Sequence, residues 1–301
     1  EKEKVISQGE IINRENLAKS LVTSKKLKKG TVLKKEHIIV KSPGQGLSPL
    51  YFDKLIGKTL QRDMGFEEFF FLSDVNELVI KPSKYSFDLK WGIPVRYHDF
   101  KSFNDLIKPD LFEFHLSYSD LNLEINNYID YNEEMQFVVH APELFANSRL
   151  LDLASSDENY RVRSVNEMKR VISITKELNR FFPSTKKPLI VTNIGGFTRD
   201  SPMSIDEKKS AYNIFAKSLG ELKDDKVEII PQTMPPFPWH FGGQRLQNLF
   251  IYPDEILYWC NKLKLRICFD ISHSFLACNH FNLDFQEFTK KVAPLTAHLH
   301  I

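Results

Sequence analysis

Short apolar runs recur along the later two-thirds of this sequence, and their rhythm constrains the fold more than any other feature. They are Phe112–Leu116, Met135–His140, Pro188–Thr192, Val227–Pro231, Leu265–Phe269 and Thr296–Ile301. Helical segments lie between several of them. Ser164-Val165-Asn166-Glu167 reads as a capping box, with Met168, Val171, Ile172, Leu178 and Phe181 following at helical spacing. Ser204-Ile205-Asp206-Glu207 is a second box, with Tyr212, Phe215, Leu219 and Leu222 on one stripe. Pro253-Asp254-Glu255 opens a further helix, with proline early and acids in the first turn. Strand–helix units that repeat without a second sheet pattern imply parallel strands. With Tyr85–Leu89 as the first strand, the count reaches seven, and the last run has no helix after it. The expectation is an α/β barrel truncated at about the seventh strand, in a piece of a longer polypeptide cut at both ends.

The earlier part of the chain has a different character. Residues 1–19 are polar and charged and read as a linker from a missing upstream domain. Over residues 20–76, short β-type runs (Leu21–Thr23, Thr31–Leu33, His37–Val40, Phe69–Leu72) alternate with the turn signals Lys29-Gly30, Ser42-Pro43-Gly44-Gln45-Gly46 and Met64-Gly65. Strands this short predict a small β-rich domain, followed by the barrel over residues 82–301.

Composition narrows the partners. Of 301 residues, 42% are hydrophobic and 27% charged, and the formal net charge is +2. So small an excess points to neither nucleic acid nor an anionic membrane. No run reaches the ~18 apolar residues of a membrane span. Glu1-Lys2-Glu3-Lys4 is too charged for a secretory signal. The three cysteines, Cys260, Cys268 and Cys278, show no CxxC spacing. They read as buried apolar residues of a cytoplasmic protein and not as zinc ligands.

Ser20 to Gly30, Val40 to Pro49 (Val-Lys-Ser-Pro-Gly-Gln-Gly-Leu-Ser-Pro), Leu55-Ile56-Gly57-Lys58 and Leu72-Ser73-Asp74-Val75 together resemble the SAF (antifreeze-like) domain of sialic acid (N-acetylneuraminate) synthases. The resemblance implies a β-clip-like module. In that family the module follows a metal-dependent barrel that condenses phosphoenolpyruvate with an N-acetylated hexose, and it caps the partner subunit's site. It thus implies an upstream synthase barrel and a homodimer at full length. The family's sugar-reaching arginine stands just before the Pro-Gly. Here that position is Ser42, whose hydroxyl cannot replace a five-donor guanidinium. Lys25, Lys26, Lys28, Lys29, Lys34 and Lys35 read as a solvated face.

Residues 82–301 resemble the xylose-isomerase-like TIM barrels, which include sugar epimerases. The likeness falls at strand ends, where such barrels keep their chemistry. Val139-His140-Ala141-Pro142 is similar to the family's His-Ala-Pro, and Phe269-Asp270-Ile271-Ser272-His273 to its Asp-x-x-His. His298-Leu299-His300 stands where a metal-binding histidine is expected. Asp270 offers a hard oxygen and His300 an imidazole nitrogen, which together suit zinc or manganese. His298 and His300 share parity and should both face the barrel interior. The resemblance therefore implies a divalent metal held by Asp270, His273, His300 and Gln232. His140, Asn193, Trp239, His240, Arg245 and His298 would contact a sugar or sugar-phosphate substrate.

Two positions depart from the family. His-x-Gly is replaced by Asn193-Ile194-Gly195, and the family's metal-binding, proton-taking glutamate is replaced by Gln232. A glutamine is a weak neutral ligand and cannot act as a base, so no catalytic residue is assigned. Asp270 is expected to be the only carboxylate among the strand-end histidines. The Pro-rich segment after Gln232 should cover the barrel mouth, with Phe237 and Trp239 as stacking faces and Arg245 as an anion site. The leading expectation is part of a bifunctional enzyme of nonulosonic (sialic-acid-type) sugar biosynthesis, whose second barrel isomerises or epimerises a sugar. The alternative is a catalytically degenerate barrel that binds sugar or serves assembly. Asp270, His273 and His300 favour the enzyme, and Gln232 and Asn193 the binding domain.

Overall fold

The computed structural model describes residues 17–76, 87–129, 133–238 and 245–301. The chain divides into two compact units, Glu1–Lys81 and Pro82–Ile301.

In the first unit, β1 (Ser20–Thr23) pairs antiparallel with β2 (Ile38–Lys41), setting Leu21 against Val40. Leu21, Leu27, Leu33, Leu60, Met64 and Phe70 form its small core. The runs expected as strands at Thr31–Leu33 and Phe69–Leu72 shrink to single antiparallel bridges, Val32 to Thr59 and Val22 to Phe69. The second run ends in a 3-10 turn, Leu72–Asp74, because Asp74 Oδ2 accepts the Phe71 N–H at 2.7 Å. Ser20 Oγ donates to the Pro43 carbonyl at 2.7 Å and accepts the Gly46 N–H at 2.8 Å, which fastens the Pro-Gly loop. The six clustered lysines are all exposed. Lys28 reaches Asp63 at 2.6 Å, a solvated pair of little energetic weight.

The second unit carries β3 (Gly92–Val95), β4 (Leu111–His115) and β5 (Gln136–His140), then a two-residue hairpin, β6 (Leu144–Phe145) and β7 (Arg149–Leu150). There follow β8 (Leu189–Thr192), β9 (Phe197–Thr198), β10 (Glu228–Pro231), β11 (Leu246–Gln247), β12 (Ile267–Asp270) and β13 (Thr296–His300). The main sheet runs β3-β4-β5-β8-β10, all parallel, and β12 pairs parallel with β13. A parallel bridge from Gln232 to Cys268 joins the two. The result is seven barrel-type strands, with no pairing of β13 to β3 among the described residues, so the barrel is not closed. The first strand lies later than expected. Tyr85 and Ser86 fall outside the described residues, and Phe87–Leu89 are irregular. Gly92 makes the later strand possible, because a side chain there would meet the Leu111 carbonyl at 2.3 Å.

The helices bury the expected stripes. Glu158–Leu178 buries Val165, Met168, Val171 and Ile172, and Ile205–Leu222 buries Tyr212, Phe215 and Leu222. The Ser204 box forms as read, but the Ser164 box does not. The earlier helix begins seven residues sooner, capped by Asp157, whose side chain accepts the Asn159 and Tyr160 N–H groups. Ser164 lies inside that helix and accepts the Asp152 N–H at 3.1 Å. The three cysteines are free and buried. No described helix is long and apolar enough to cross a membrane.

Candidate functional site

Period-two alternation builds the site. Val138, Val191, Ile230 and Cys268 form a buried apolar layer between the strands. Two residues further along, the same strands present His140, Asn193, Gln232 and Asp270, all buried. Register completes the polar layer: His115 pairs with His140 across β4 and β5, and Asp270 with His300 across β12 and β13.

Gln232 stands at its centre. Its Nε2 lies 2.9 Å from Asp270 Oδ2, 3.2 Å from His300 Nδ1 and 3.4 Å from His273 Nδ1. Its Oε1 lies 3.1 Å from His140 Nε2. His140 Nδ1 donates to the Ala141 carbonyl at 2.9 Å. Burial, then the neighbouring His115, hold His140 below the ordinary histidine value. A neutral His140 with its proton on Nδ1 offers only a lone pair at Nε2, and so suits an amide turned by 180°. Turned that way, the Gln232 oxygen joins Asp270 Oδ2 and His300 Nδ1, three electron-pair donors facing one another. Such a set needs a cation, and a divalent ion fits it by donor type. Without a metal, a proton on His300 does the same service. Burial lowers the His300 pKa, but Asp270, Cys268 and Glu113 together raise it to about 12.

Asp270 is fixed by its backbone role. It caps the Ile271–Phe281 helix, with Oδ1 accepting the His273 N–H at 2.8 Å and Oδ2 left facing the site. Burial raises its pKa, but His300 and His273 outweigh that and hold the carboxyl below its usual value. His273 donates from Nδ1 to the Thr233 carbonyl at 3.0 Å, which leaves Nε2 as its available nitrogen.

A second carboxylate was not expected. Glu113, 5% exposed, takes His298 Nε2 at 2.5 Å and His300 Nε2 at 2.9 Å on one oxygen. His115 Nε2 lies 2.6 Å from the other. Burial pushes the Glu113 carboxyl up, but the three imidazoles outweigh it and hold it well below the carboxylate range. Glu113, His298 and His300 offer ligand atoms within 4.8 Å of one another and can hold a metal ion. As built, the carboxylate takes the Nε2 hydrogens and so aims the His300 Nδ1 lone pair at Asp270, the way ligating histidines are commonly oriented. Asp270 is therefore not the only carboxylate among these histidines. The sequence does carry a signal: Glu113 and His115 are polar alternate residues inside the apolar run Phe112–Leu116.

Of the residues singled out from the sequence, Asp270, His273, His300, Gln232 and His140 converge here, and His298 joins Glu113. Asn193 is buried beside them in the layer, with Oδ1 accepting the Gly195 N–H at 2.8 Å. Its Nδ2 has no hydrogen-bond partner among the described residues. Arg245 lines a different cavity. Trp239 and His240 lie outside the described residues.

The xylose isomerase-like TIM barrel family matches residues 100–301, two-thirds of the chain. The chain belongs to that family. A SAF domain matches residues 18–68 ahead of it. Curated proteins give no match. Among solved structures, this family member is similar to a xylose isomerase domain protein from Planctomyces limnophilus, at 16% identity over 71% of this chain and 74% of the other, with a TM-score of 0.45. A D-psicose 3-epimerase from Clostridium cellulolyticum matches at 15% identity over 70% and 72%, with a TM-score of 0.43. A 3-keto-D-glucoside 4-epimerase from E. coli matches at 12% identity over 74% and 78%, with a TM-score of 0.46. At these values the likeness adds nothing to the chemistry, which rests on the residues themselves.

Proposed function

We propose that the barrel holds a divalent metal at Asp270 and His300, with the Gln232 oxygen as a neutral third ligand, and uses the site for sugar isomerase or epimerase chemistry. The observation that carries this is the convergence of Asp270, Gln232 and His300 at the C-terminal ends of parallel strands, with Glu113 orienting the imidazole. A bound ion would polarise a sugar carbonyl. The chain's own residues do the rest. Asn193 Nδ2 is an uncommitted donor for a sugar hydroxyl, and His273, in the first turn of the helix that Asp270 caps, keeps Nε2 available. The SAF domain supports a place in sialic-acid-type sugar biosynthesis, where such a domain completes a phosphoenolpyruvate-dependent synthase site in a dimer.

Gln232 favours a second reading, binding without turnover, because an amide cannot take a proton. One experiment separates the two. The chain is loaded with manganese and incubated in deuterium oxide with ketohexoses and N-acetylhexosamines, and the sugars are followed by NMR. Deuterium incorporation at the carbon beside the carbonyl supports turnover. Sugar binding without incorporation supports the second reading, and absence of both metal and sugar binding refutes the site.

A further inference from the structure

A second cavity, of about 300 Å3, lies among the segments that follow β5, β8 and β10, and its lining includes Arg149, Arg199, Arg245, Ser148, Asp152 and Tyr160. A small hairpin and a short pair of strands distant in sequence supply the arginines. Arg149 begins β7. Arg199 and Arg245 flank the β9–β11 pair, whose antiparallel register sets Leu246 against Thr198. The next position outward therefore places Arg245 opposite Arg199. Like charges opposed across paired strands are destabilising, so this placement is favourable with an anion between them. Arg149 is steadied by Glu167 at 3.1 Å. Among the described residues Arg199 has no carboxylate partner.

The cavity is held in shape before any ligand arrives. Gln247 Nε2 donates to the Gly195 carbonyl at 2.9 Å, and Asn248 Nδ2 to the Gly196 carbonyl and to Thr198 Oγ1, both at 2.9 Å. Asp152 Oδ1 accepts the Ala154 and Gly196 N–H groups at 3.0 and 3.1 Å. Burial outweighs those bonds and pushes Asp152 up to about 6. It is a single carboxyl in a lining that holds three guanidinium groups, so it cannot cancel them. Ser148, on the wall, holds a left-handed backbone at φ 53°, a strain that clusters at binding sites. Gly195 and Gly196 lie two and three residues after Asn193, just past the end of β8. The cavity thus opens at the same end of the parallel strands as Asp270 and His300.

We propose that this cavity binds the phosphate monoester of a phosphorylated sugar, with Arg199 and Arg245 gripping the dianion. Guanidinium forks match phosphate oxygens in geometry, and two opposed forks match its two charges. The sugar half of this inference rests on the reading of the barrel given above, while the anion half stands without it. The test is calorimetry in EDTA with inorganic phosphate, D-fructose 6-phosphate and D-fructose. Both phosphates should bind, the sugar phosphate more tightly, and fructose should give no heat. Arg199→Ala and Arg245→Ala should each weaken phosphate binding at least tenfold, with Arg199→Lys retaining part of it. Arg199 is exposed, so its loss leaves folding intact. Asp270→Asn should bind phosphate like the wild type, which separates failure of the metal site from failure of this one. Absence of phosphate binding, or binding indifferent to both arginine variants, overturns the proposal. So does fructose 6-phosphate binding no tighter than phosphate.

Discussion

Replacing Gln232 by glutamate tests the barrel's metal site at its centre. The new carboxylate would lie about where the amide now sits, 2.9 Å from Asp270 Oδ2 and 3.2 Å from His300 Nδ1. At an effective dielectric constant of about 20, its repulsion from Asp270 is about 6 kcal/mol, and its attraction to a protonated His300 about 5 kcal/mol. The two nearly cancel, which leaves the cost of burying a further carboxylate, so Gln232→Glu should destabilise the metal-free protein by several kcal/mol. The balance breaks when a divalent ion replaces the His300 proton. Repulsion between the carboxylates is then screened by two charges, and a neutral ligand has become an anionic one. Affinity for manganese and zinc should rise at least tenfold, ~1.4 kcal/mol, and Asp270→Asn should lower it. Because His300 is protonated up to about 12, each ion bound should release a proton, and affinity should climb with pH between 6 and 8. Calorimetric titration of the three proteins, in two buffers of different ionisation enthalpy, reads both effects. An unchanged affinity for Gln232→Glu, or no proton release, refutes the placement of the ion between Asp270 and His300.

Glu113→Gln should cost about 3–5 kcal/mol in urea unfolding, because it strands imidazoles built around a buried carboxylate. The Glu113 pKa is depressed, so its contribution is present above its ordinary value of 4.5 and lost as pH falls through the folded value. The His300 pKa is raised, so its contribution is full below 6.5 and lost as pH rises through about 12. The variant should flatten both limbs of the stability profile. Gly195→Ala should destabilise by about 2 kcal/mol or more, since φ is +92° and the new Cβ would lie 2.0 Å from Asp152 Oδ1; thermal unfolding reads this, and an unchanged midpoint would contradict it. Asp157→Ala removes the cap of the Glu158–Leu178 helix and should cost about 1 kcal/mol in the same assay, with phosphate and metal binding unchanged.

Local rules made much of the fold legible. Apolar runs located β4, β5, β8, β10, β12 and β13 to within a residue or two. The Ser204 box and Pro253 marked two helix starts, because their signals are complete within one turn. The Ser164 box failed for the same kind of reason. Its spacing satisfies the motif, but Asp157 already caps the helix, and a serine inside a helix is free to bond elsewhere. The first strand was misplaced because a lone β-type run carries no information about its neighbour. Gly92 is a strand residue only because the β4 backbone passes against it.

The sequence by itself determined which residue types stand at each strand end, and hence that Asp270, His300 and Gln232 lie on one face of parallel strands, with His273 close behind Asp270. Only the tertiary structure decided what each of them does there. Glu113 and His298 are 185 residues apart, yet one carboxylate oxygen binds His298 and His300 together. The opposition of Arg199 and Arg245 likewise depends on pairing two-residue strands that no periodicity could reveal. Strand parity is a property of consecutive residues, and so it is written in the chain. Register between distant strands, and the hydrogen-bond partner each nitrogen finds, arise only when those strands pack side by side.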